Sequence, residues 1–177
     1  PDCMTTLGGS QYVDSPGLGM YATYLVEEIR ETVDQVFRTN KKWGLTGHSS
    51  GGFGALHLAM EHPGVFHAVA SHAGDLGFDL AYLGDIPKAV SAVAASGGIQ
   101  SFVDNFWTRR GHSGGDISAL MLLCVCCAYL PDLTATPLPC RFPVNFETGK
   151  VDFDTLQALC AMDPIVRLET PDQRVGL

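Results

Sequence analysis

The sequence predicts an α/β layered fold with a largely parallel sheet flanked by helices. Three observations predict it. Helical and extended patterns alternate through the first half of the chain. A Gly-x-Ser-x-Gly turn joins one of those strands to the helix after it. Apolar residues make up 46% of the 177 residues against 17% charged. Alternation of this kind belongs to strands that pair in parallel through helical crossovers. The composition is able to bury a core, which excludes a disordered chain and predicts one domain over 1–177.

Taken in order, residues 1–20 read as loop, broken by Gly8-Gly9-Ser10 and Ser15-Pro16-Gly17. Tyr21 to Arg38 reads as a helix, because Leu25, Ile29, Val33 and Val36 recur at helical spacing with Glu27, Glu28, Glu31 and Asp34 between them. Lys41 to Thr46 reads as a short strand carrying Trp43 and Leu45. Ser50 to Glu61 is a small-residue helix stopped by His62-Pro63-Gly64, and Val65 to Ser71 is the next strand. After Gly74 the pattern predicts helices near Pro87–Ala95, Ile99–Arg109, Asp116–Leu130 and Phe153–Ala161. A Pro-rich stretch (Pro131, Pro137, Pro139, Pro143) precedes the last.

Nineteen acidic against eleven basic residues give a net charge of −8, which leaves no basic face for nucleic acid. The longest apolar run, Ile117 to Leu130, is too short to span a bilayer and reads as a buried helix. Of six cysteines, Cys124, Cys126 and Cys127 crowd that run. Disulfide frameworks and zinc sites want separated pairs, so these read as reduced core thiols in a cytoplasmic setting, with no metal and no cofactor.

The chemistry centres on Gly47-His48-Ser49-Ser50-Gly51-Gly52, set between a strand and a helix. This is the strand–turn–helix context of a nucleophile elbow. Ser49 is the candidate nucleophile, held in a strained backbone so that its hydroxyl stands clear of the sheet. Gly47 and Gly51 let strand and helix approach across the turn. The Ser50 backbone N–H, at the start of the helix, is the candidate oxyanion donor.

The same pattern recurs at Gly111-His112-Ser113-Gly114-Gly115, but no buried strand precedes it, and Gly115-Asp116 reads as a loop with an N-cap for the following helix. Gly17-Leu18-Gly19-Met20-Tyr21-Ala22 fits a relaxed dinucleotide fingerprint. It follows a turn rather than a strand and lacks the later acid, so NAD binding is rejected.

A general base is not evident. His48, His57, His62 and His67 lie close to the elbow in sequence and read as helix-surface or loop residues. His72 follows the next strand, and only His112 has aspartates (Asp75, Asp79, Asp85, Asp104) between it and Ser49.

Several segments resemble the putative-esterase family of α/β-hydrolases, which includes esterase D, enterobactin esterases and mycobacterial mycolyltransferases. They are Pro1–Thr5, Gly8–Ser15, Tyr24–Ile29, the run Gly47–Leu56, His62–Phe66 and Ser71–Asp75. The resemblance implies part of an α/β-hydrolase fold and a serine esterase acting on a small-molecule ester or thioester through an acyl-enzyme on Ser49. The alternatives are acyl transfer to an alcohol or sugar and, given the missing base, a non-catalytic hydrolase-like domain. The resemblance also implies that the catalytic acid and histidine lie further along than Leu177 and that a strand precedes Pro1. The 177 residues alone are then expected to turn over little or nothing.

Overall fold

The computed structural model describes residues 2–169. Two short strands, β1 (Asp14–Ser15) and β2 (Gly19–Met20), form an antiparallel hairpin inside the region that the sequence marks as loop. Strands of two residues carry no alternation to read. This hairpin is fixed from outside, where the Ser15 hydroxyl donates to the Cys127 carbonyl at 2.7 Å.

The predicted Tyr21–Arg38 helix is a continuous helical segment ending at Val36. It runs as α1 (Tyr21–Thr23), a π-helical stretch Tyr24–Ile29, and α2 (Arg30–Val36). Its inner face presents Ala22 and Val26 to Leu58.

β3 (Trp43–His48), α3 (Ser50–Glu61) and β4 (Phe66–His72) make the unit that carries the elbow. β3 and β4 are parallel, with Leu45 opposite Val69, Gly47 opposite Ser71 and His48 opposite His72. Both strands reach slightly further than their apolar residues suggest, because the ladder continues through Gly47 and His48 to the turn itself. α3 packs against both strands. The described residues thus hold mixed helix and strand, with one parallel pair rather than the many-stranded sheet of a complete α/β-hydrolase.

The second half is helical. α4 (Phe78–Ala81), α5 (Ile86–Ala95), α6 (Ile99–Phe106), α7 (Gly114–Tyr129), α8 (Phe153–Cys160) and α9 (Pro164–Glu169) follow. The core gathers on α7, where nearly every side chain from Ala119 to Tyr129 is buried, with Phe53, Phe78, Phe102, Phe106 and Leu159 around it. A helix buried on all sides explains an apolar run without a polar face. No helix among the described residues is long and apolar enough to cross a membrane.

One predicted boundary is corrected, and two unpredicted helices are added. α7 begins at Gly114, and its N-cap is Ser113, not the Gly115-Asp116 pair. Asp116 instead closes a capping box, accepting from the Ser113 N–H at 2.8 Å while its own N–H donates to Ser113 Oγ at 3.2 Å. α4 and α9, which the sequence did not announce, are joined through buried Asp163. Its carboxylate accepts from the Phe78 N–H at 2.8 Å and the Ile165 N–H at 2.9 Å.

Candidate active site

Ser49 stands between the end of β3 and the first turn of α3, with φ 54° and ψ −125°. A non-glycine residue there is strained, and the surrounding bonds hold it. Its N–H donates to the His72 carbonyl at 3.1 Å, and its carbonyl accepts from Gly52, Phe53 and Asp75 N–H at 2.8, 3.1 and 3.2 Å. The β4–α4 loop is therefore stitched to the elbow, with Ala73 also at positive φ.

Two close approaches make this possible. A Cβ on Gly47 would lie 2.0 Å from the Gly51 carbonyl oxygen, so the strand can meet the helix only where position 47 is glycine. A Cβ on Gly52 would lie 2.7 Å from Gly74 Cα, which shows the loop backbone resting on the helix backbone. Gly51 differs from its neighbours. A side chain there would meet the Tyr12 ring at ordinary van der Waals distance, and it is the Gly51 backbone that forbids a Cβ at position 47.

The loop delivers Asp75, a residue that the Gly-x-Ser-x-Gly pattern does not reveal. The Ser49 hydroxyl donates to Asp75 Oδ1 at 3.1 Å. Burial pushes the Asp75 carboxyl above its ordinary range, partly countered by the Ser49 hydrogen bond and by nearby His48. Asp75 Oδ2 and Ser71 Oγ are buried without a hydrogen-bond partner. Behind them lies an aromatic wall in which Phe78 packs on Phe53, Tyr82 and Tyr129 at ring separations of 5.7, 4.8 and 5.6 Å. Burial likewise raises the phenols of Tyr82 and Tyr129. The only sequence cue to Asp75 was its place in Ser71-His72-Ala73-Gly74-Asp75.

Ser50 opens α3, so its N–H has no acceptor one helical turn back. The twelve-residue helix directs its positive end at the elbow. A cavity of about 600 Å³ runs along β3, lined by Tyr12, Leu45, Gly47, His48, Gly51 and Gly54 among others.

Among the described residues no histidine side chain hydrogen-bonds Ser49 or Asp75. His48 and His72 are exposed at the strand ends. His57 corrects its expectation as a surface residue. It is buried, stacks on Phe53 with ring centroids 5.3 Å apart, and lies 3.4 Å from Arg167 Nη1. His112 lies flat on Phe106 at 3.9 Å, beside the Ser113 cap and on a different element from the elbow.

A family model described as Putative esterase matches residues 13–119, more than half of the chain and the whole of the elbow unit. The chain belongs to this family, and ester-bond hydrolysis is the activity class that goes with it. No curated protein matches the chain.

Proposed function

We propose that the protein is a serine esterase in which Ser49 Oγ attacks the carbonyl carbon of a small-molecule ester. The observation that carries this reading is the backbone of Ser49. A serine held in strained backbone at a helix N-terminus by bonds from β4 and its loop is the arrangement that lifts a nucleophilic hydroxyl clear of a sheet.

In the proposed reaction Ser49 Oγ bonds to the carbonyl carbon as its proton passes to a base. The Ser50 N–H, helped by the α3 dipole, stabilises the negative oxygen that develops. Collapse expels the alcohol and leaves an acyl-Ser49, which water then cleaves. Asp75 holds the resting hydroxyl in one rotamer through the 3.1 Å bond. Asp75 is engaged with the resting hydroxyl, and no histidine side chain among the described residues hydrogen-bonds Ser49, so we name the nucleophile and the oxyanion donor and leave the base unassigned.

The test is a fluorophosphonate probe on the whole natural protein, followed by peptide mapping. Label on Ser49, abolished in Ser49→Ala, is the expected result. Label on Ser113, or none with Ser49 intact, overturns the assignment.

A further inference from the structure

The chain between the end of α7 and Arg141 doubles back on itself. Pro131 and Cys140 form an antiparallel bridge. Asp132 N–H donates to the Pro139 carbonyl at 2.8 Å, and Arg141 N–H donates to the Leu130 carbonyl at 3.0 Å. Cys140 is thereby fixed at the neck of this loop, against the last turn of α7. That turn carries Cys127, and the two sulfurs share a hydrogen bond at 3.2 Å.

Cys127 is held from its other side as well. Its carbonyl accepts the Ser15 hydroxyl at 2.7 Å, and the Gly17 backbone is so close that a Cβ there would lie 2.5 Å from that carbonyl oxygen. Both backbones are thus positioned independently of the sulfurs, which already lie 3.2 Å apart. The neighbouring thiols are differently engaged. Cys124 donates to the Gly9 carbonyl at 3.0 Å and accepts from the Gln11 side-chain amide at 3.7 Å.

We propose that Cys127 and Cys140 form a modification site, oxidised to an intramolecular disulfide by a small disulfide of the glutathione class. One thiol, as thiolate, attacks the reagent and releases one glutathione thiol. The second thiol then displaces the other. Two protein thiols and one oxidised glutathione give one protein disulfide and two reduced glutathiones.

Both sulfur-bearing residues are buried, at 0% and 2% exposure, so the reagent reaches them only while the loop is open. Oxidation therefore belongs to folding or to loop opening, and the closed disulfide is shielded from reductant. The bond would fasten the α7 turn whose Tyr129 backs the Ser49–Asp75 pair. It does not depend on Ser49 being a nucleophile.

The experiment uses the full chain, refolded from denaturant in excess oxidised glutathione and alkylated afterwards. A protease cutting before aspartate separates Cys140 from the three cysteines of α7, because Asp132 lies between them. The expected result is four alkylated thiols instead of six, with the peptide beginning at Asp116 linked to the one beginning at Asp132. The link should vanish in Cys127→Ser and persist in Cys124→Ser and Cys126→Ser. Six alkylated thiols, or glutathione adducts in place of the link, overturn the proposal, as does a link that survives Cys127→Ser. A measurement on the unmutated chain alone stands beside these variants. The oxidised chain should melt about 6–12 °C above the reduced one. Equal or lower melting overturns the claim that the native geometry accepts the bond.

Discussion

Ser49 and Gly47 show how much of the site rests on single residues. Position 47 has no room for a methyl group, because the obstacle is the Gly51 carbonyl 2.0 Å from a Cβ and not a movable side chain. Gly47→Ala should cost about 3 kcal/mol or more and lose fluorophosphonate labelling together with stability, read by denaturant melts and gel fluorescence. Asp75 behaves differently. Its carboxyl is raised by burial, so the folded state binds its proton more tightly than the unfolded chain does. Its contribution to stability is complete at acid pH and is lost as pH rises through the folded pKa. Asp75→Asn keeps an acceptor for the Ser49 hydroxyl and removes that loss. The variant should melt higher than the parent at pH 7 and not at pH 3, which melting curves at the two pH values will check.

At the scale of elements, packing decides what His57 on α3 and Ser113 at the N-cap of α7 each do. His57 faces inward from α3, where burial lowers its imidazole to about 4 against an ordinary 6.5. Neighbouring Glu61 opposes that shift, and Arg167 adds to it. The neutral ring can accept from the Arg167 guanidinium, which also pairs with Glu61 at 2.6 Å. Here the unfolded state binds the proton more readily. Stability is complete above about pH 6.5 and falls as pH drops toward 4, by at most about 3 kcal/mol. His57→Gln should flatten that part of the stability–pH curve measured by urea denaturation. On α7, Ser113 is spent on its capping box. Ser113→Ala should cost ~1 kcal/mol and leave Ser49 labelling unchanged, which separates the two Gly-x-Ser-x-Gly motifs by experiment.

For the molecule as a whole, the conspicuous feature is the parallel pair. Parallel strands are normally covered on both faces and continued at their edges. Among the described residues β3 and β4 pair only with each other, and Gly44, Thr46, Ala68 and Ala70 leave the face away from α3 exposed. Unpaired parallel edges beside small exposed side chains template association with other chains. The 177-residue chain by itself should therefore self-associate with rising concentration, visible as growing weight-average mass in sedimentation. A strictly monomeric chain across that range would show that the edges are protected.

The sequence by itself determined the elbow unit. Tight glycines, a serine between strand and helix, and regular apolar spacing are local properties, and local sterics enforce them wherever the chain goes. The same holds for the long helices, whose periodicity or unbroken apolar run needs no partner to be recognised. Only the tertiary structure decided the rest. Asp75 reaches Ser49 because Gly52 and Gly74 let two backbones touch, a contact between residues far apart in the chain. His57 is buried because α9 brings Arg167 against it, and Cys127 meets Cys140 because the 131–141 loop closes. The two-residue hairpin and α4 are likewise held by distant partners: Cys127 for the hairpin, Asp163 for α4. Spacing along a sequence records which residues share a face, but hydrogen bonds across long separations arise only when packing brings the faces together.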